Sequence, residues 1–138
     1  MIKWISILIA LLFTTGVSAE LKDWSKKEQR LYNSFITFQA MDLMQTHALI
    51  ECQETNPHCP FYEQNPILGT HPSKGETVVF KAVTNYMIFK ILDQPKFHGK
   101  RERVLKGLNV VSIYPVIHNE QIGLGFYVPI LPYNQFKK

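Results

Sequence analysis

Leu31, Phe35, Phe38, Leu49 and Cys52 recur at three- and four-residue spacing, which places them on one face of a helix, and Asp42 and Gln45 fall on that same face. Upstream, Ser25-Lys26-Lys27-Glu28 is a Ser-x-x-Glu capping box, in which hydroxyl and carboxylate each satisfy a free amide of the first turn. Together these predict a helix from Lys26 to about Glu51, uninterrupted by Pro or Gly until Pro57. A second box, Ser73-Lys74-Gly75-Glu76, starts the next helix at Lys74, and Pro72 keeps His71 extended just before it. From Thr77 to Leu92 the chain is apolar on most sides, with Thr77, Lys81, Thr84 and Asn85 as a thin polar stripe, a pattern expected of a helix buried in protein or lipid.

Asp93-Gln94-Pro95 stops that helix, and Lys96 to Arg103 reads as a basic connector. A third helix is expected from about Glu102 to His118, with Pro115 kinking it or ending it early. Past Gly123 and Gly125 two prolines and poor alternation predict an extended C-terminal tail over the core. The predicted fold is all-α: a small three-helix bundle with an ordered loop between the first two helices.

The amino terminus changes the picture of where this bundle resides. Residues 1–19 carry Lys3, an apolar run from Trp4 to Phe13 and a small-residue end at Val17-Ser18-Ala19, the layout of a signal peptide cleaved after Ala19. The run is shorter than the roughly 20 residues an anchor needs to span a bilayer. The expected organisation is a signal peptide over residues 1–19 and a single helical domain over residues 20–138. With 138 residues and 46% hydrophobic composition the chain is globular, and its net charge of +4 is too small to argue for nucleic acid.

The predicted helices are poor membrane spans. Asp42 and Gln45, Lys81 and Asn85, and Lys106 and Asn109 interrupt them, and each central charge costs about 2.5 to 3.5 kcal/mol on insertion. Threading them through a bilayer would also leave the basic connector outside, against the positive-inside rule. An exported domain resting on a membrane fits better than a polytopic one. The expected location is the periplasm or the periplasmic face of the inner membrane.

In such a compartment Cys52 and Cys59 are expected to form a disulfide rather than a metal site, because zinc takes three or four ligands and His58 and His47 match no zinc spacing. No metal and no cofactor is expected. Beside the pair, Tyr62 to Glu76 (YEQNPILGTHPSKGE) reads as a structured strap between the first two helices. Ile67 and Leu68 are expected to plug into the core, with Gly69 taking a turn a side chain forbids. Glu63, Asn65 and His71 are expected to face inward beside Asp42 and Lys81.

The arrangement Asp42-x-x-Gln45-Thr46, then Glu63-x-Asn65-Pro66-Ile67-Leu68-Gly69-x-His71-Pro72-Ser73, then His118-Asn119 resembles a group of short, uncharacterised bacterial and phage proteins. Their marks are a D-x-x-Q-T helix, an E-x-N-P-I-L-G-x-H-P-S loop and a late H-N or R-N pair. The similarity covers about residues 31–125 and implies no established activity. Members often have more apolar helices, which weighs towards the membrane, and the CQETNPHC insert here departs from the pattern.

These residues define a candidate polar network of Asp42, Gln45, Thr46, Glu63, Asn65, His71, Lys81, Asn85, His118 and Asn119. A hydrolase would use Asp42 or Glu63 as base and His71 or His118 as proton shuttle. The chain holds no Gly-x-Ser-x-Gly elbow, His-Glu-x-x-His helix, P-loop or dinucleotide fingerprint. A satisfied structural network, with Asp42 and Lys81 paired across two helices, is the stronger expectation and leaves no catalytic residue assigned. The function expected is that of an envelope accessory protein, phage-related, binding an envelope protein or the membrane surface. The alternative is a small envelope hydrolase.

Overall fold

The computed structural model describes residues 21–63 and 65–125. The expected signal peptide and C-terminal tail lie outside the described residues, as does Gln64. The described chain is all-helical: α1 (Lys26–Thr55), α2 (Lys74–Leu92) and α3 (Arg101–Gln121), with 3-10 turns at Leu21–Asp23 and Pro95–Phe97. The central element is α1, which packs along α3 more extensively than along α2.

Both capping boxes form. The amide of Glu28 donates to Ser25 Oγ at 3.2 Å and that of Ser25 to Glu28 Oε2 at 2.8 Å, with the same reciprocal pair between Ser73 and Glu76. The far end of α3 is closed by a Schellman motif. Gly123 (φ +83°) donates to the Glu120 carbonyl at 3.0 Å, and the next amide, that of Leu124, reaches back to Asn119 at 2.9 Å.

Pro115 does not end α3, which continues to Gln121. A proline removes one backbone donor, and tertiary contacts outweigh the loss here: Val116 is buried and its carbonyl accepts from Gln45 Nε2 at 3.1 Å.

The core has two parts. One joins Leu21, Trp24, Tyr32, Phe35, Phe89, Leu92 and Leu105, with the Trp24 ring stacked on Phe89 at 5.8 Å and edge-on to Tyr32 at 5.4 Å. Such aromatic pairs add about 0.5 to 1.5 kcal/mol beyond their buried area. The other joins Ala48, Leu49, Ile50 and Leu124, with Phe61 packed against it.

The basic connector contains a core residue. Arg101 is 2% exposed, with its guanidinium 4.3 Å from the Trp24 ring, Nε donating to the Leu92 carbonyl at 2.9 Å and Nη1 3.6 Å from Glu28 Oε2. An ion pair, a hydrogen bond and a cation–π contact offset part of the desolvation of the charge, while Nη2 is buried without a hydrogen-bond partner.

Two expectations are corrected. Ile67 does not plug the core; it is 76% exposed, and only Leu68 of the pair is half-buried. The turn satisfies itself locally, because the Asn65 carbonyl accepts from the Leu68 and Gly69 amides while Asn65 Oδ1 accepts from Ile67 at 3.0 Å. Nothing then forces the loop tip inward. Gly69 takes φ +73°, the left-handed conformation expected of it.

The second correction concerns α2, which the rest of the described chain does not enclose. Its buried residues are Thr77, Phe89 and Leu92, while Val79, Val83, Tyr86, Met87 and Ile91 are exposed. In its first half Thr77 and Lys81 turn inward to α1, while in its second half Phe89 and Leu92 enter the aromatic core, so apolar residues are left on the outer side.

Candidate functional site

Asp42, Thr46 and Leu49 follow one another on α1 at four- and three-residue spacing, so their side chains share a stripe. Pro60 to Glu63, which lead into the strap, lie across that stripe, and the last turns of α3 close it with Tyr114, Pro115, His118 and Asn119. Between them lies a cavity of about 170 Å³. The strap is held down by Gln53, whose Nε2 donates to the carbonyls of Phe61 at 3.1 Å and Thr70 at 3.2 Å. Cys52 and Cys59 anchor its start, their sulfurs 2.18 Å apart.

Most of the polar groups beneath the cavity are used structurally. Lys81 Nζ pairs with Asp42 Oδ2 and donates to Gln39 Oε1 at 2.9 Å, while Gln39 Nε2 donates to Ser112 Oγ at 2.8 Å. This relay ties all three helices together. A second bridge runs from Asn119 Nδ2 to Gln45 Oε1 at 3.1 Å, with Gln45 passing its own amide to Val116. Gln39 and Ser112 were not singled out in the sequence, although Gln39 lies three residues before Asp42 and therefore on the same face.

The remaining network residues are dispersed. Asn65 serves the strap turn, and its amide donates to Glu63 Oε1 at 2.8 Å. His71 is exposed, its Nδ1 2.9 Å from the Thr70 hydroxyl, and it borders a separate hollow beside the disulfide with Gln53 and Cys59. It does not face inward beside Asp42, because the Pro72 break and the Ser73 cap carry the chain outward onto α2. The side-chain carbonyl of Asn85 is buried with no hydrogen-bond partner. Of the four hydrolase residues, Asp42, Glu63 and His118 line the cavity and His71 does not.

His47 lies one residue beyond the stripe and points to α2. Its Nε2 is 3.0 Å from Thr77 Oγ1, which itself donates to the Lys74 carbonyl at 2.8 Å. Burial, with Lys74 nearby, holds the His47 pKa below its ordinary 6.5. His118 stacks on Tyr114, ring centroids 6.1 Å apart and planes within 7°.

Among the described residues no group of three or more His, Cys, Asp or Glu side chains is placed to hold a metal ion. Comparison with protein-family models, curated proteins and solved structures finds no match for this chain.

Proposed function

We propose that this protein is an accessory component of the cell envelope, at the periplasmic face of the inner membrane, that works by binding rather than catalysis. The observation that carries the reading is the apolar surface that α2 leaves exposed. Thr77 and Lys81 of α2 are spent on α1, through His47 and Asp42, while Val79, Val83, Tyr86 and Met87 stand in solvent. Val110, Val111, Tyr114 and Ile117 add exposed apolar surface on α3. Apolar patches of such extent on a folded chain mark surfaces that meet a partner or a lipid boundary. Among the described residues no helix is long and apolar enough to cross a membrane, so the contact proposed is lateral docking.

The test is photo-crosslinking in the producing cell, with a photoreactive residue at Val83 or Tyr114 and a control at exposed Glu54. Adducts to envelope protein or lipid from Val83 or Tyr114, absent from Glu54, are expected. Loss of adducts at both apolar positions would remove the binding reading.

A hydrolytic reading keeps one point in its favour, the convergence of Asp42, Glu63 and His118 on a single cavity. Asp42 is tied to Lys81, which leaves Glu63 as the base and His118 as the proton carrier. Turnover of a polar ester or amide abolished by Glu63→Gln would establish it over the binding role.

A further inference from the structure

The cavity between α1, the strap and α3 has a charge that the rest of the molecule does not share. The chain carries a net +4, yet the described walls of this cavity include two carboxylates, Asp42 and Glu63, and no Lys or Arg. Asp42 is neutralised by Lys81. Glu63 has no cationic partner among the described residues; one oxygen accepts from the Asn65 amide and the other remains available. A half-buried carboxylate without a cationic partner attracts a cation beside it.

A second observation is independent of that charge. Thr46 is 8% exposed, lines the cavity, and its hydroxyl makes no hydrogen bond among the described residues. The residue is buried but its hydroxyl is not among the sealed, unpaired atoms, so it is open to a partner in the cavity. The aromatic side chains of Phe61, Tyr62 and Tyr114 complete the wall, and aromatic faces attract cations.

Size and ligand count narrow the occupant. At about 170 Å³ the cavity is smaller than the roughly 300 Å³ at which drug-sized ligands begin to fit, so it suits a group of a few heavy atoms. The described residues offer no three-ligand metal set, and a hollow lined by carboxylates without Lys or Arg repels an anion. We propose that this cavity binds a small primary alkylammonium ion. Glu63 is its counter-ion, the Thr46 hydroxyl accepts a second N–H, and the aromatic walls with Leu49 cover its carbon chain.

The test is a titration of the folded protein with n-butylammonium, n-butanol and butyrate, following backbone amide NMR shifts of Thr46, Glu63 and His118. Saturable shifts with the amine, and affinity at least about tenfold weaker for the alcohol and the acid, are expected from the loss of a charged hydrogen bond. Glu63→Gln keeps an oxygen for the Asn65 amide and hence the strap, and its amine affinity should fall by a similar factor at unchanged Tm. Thr46→Val is a second variant, expected to weaken the amine more than the alcohol. Equal binding of the three probes, equal amine affinity in Glu63→Gln, or no saturable shift with the amine would each overturn the proposal. Should Glu63→Gln fail to fold, the comparison of probes on the unaltered protein decides alone.

Discussion

Asp42 and Lys81 retain only 16% and 18% of their side-chain exposure, so each charge depends on the other. Asp42→Asn leaves an ammonium facing an amide and the Gln39 oxygen, and should destabilise the fold by about 2 kcal/mol. Adding Lys81→Met should recover at least half of that loss, because no charge then remains buried alone. Chemical denaturation of the three proteins measures both steps. If Asp42→Asn leaves stability unchanged, the pair is not structural. A neighbouring residue gives a pH dependence. His47 has a folded-state pKa below 6.5, so the unfolded chain takes up a proton first as the solution is acidified. The stability this residue contributes is complete above pH 6.5 and lost as pH falls from there through the folded pKa. His47→Gln keeps a donor for Thr77 and should flatten that part of a denaturation profile between about pH 7.5 and 5.

At the scale of elements, each helix terminus carries its own chemical signal, and the start of α3 is the exception. Both Ser-x-x-Glu boxes lie where the sequence placed them, and Ser25→Ala or Ser73→Ala should cost about 1 kcal/mol each in thermal unfolding. Gly123→Ala forces a side chain into the left-handed region and should cost about 1 to 2 kcal/mol, loosening Leu124 from Ala48, Leu49 and Ile50. The Lys100 side chain makes no capping hydrogen bond at the start of α3; that end is fixed by Arg101 instead, through contacts no local motif encodes. This is why the basic run reads from sequence only as a connector. Pro115 does not end the helix early, since local rules register the lost amide and not the grip of Gln45 on the following carbonyl.

For the whole molecule, the Cys52–Cys59 bond closes a short loop that also holds the strap over the cavity. Reduction should therefore lower stability by about 2 kcal/mol, a modest amount because few residues lie within the ring. It should also disturb the amides around Phe61 and Glu63 more than those of α2. The two-part core accounts for this division: the aromatic cluster at Trp24 and Phe89 does not involve the strap, whereas the cluster at Leu49 packs directly on Phe61.

The sequence by itself determined the helical class, the two capped helix starts, the left-handed turn at Gly69 and the pairing of Cys52 with Cys59. Each of these depends on interactions among residues a few positions apart, and such interactions can be read from spacing. It also matched Asp42 to Lys81, since both lay on helical faces with few other polar groups. Tertiary structure alone decided which way each face turned. A helix apolar on most sides carries no local mark of which side meets α1, and the polar stripe won that position because Thr77 and Lys81 found partners there. The same holds for the cavity. Asp42, Glu63 and His118 come from three segments far apart in the chain, and their convergence follows from how α1, the strap and α3 pack, a long-range outcome that no spacing rule contains.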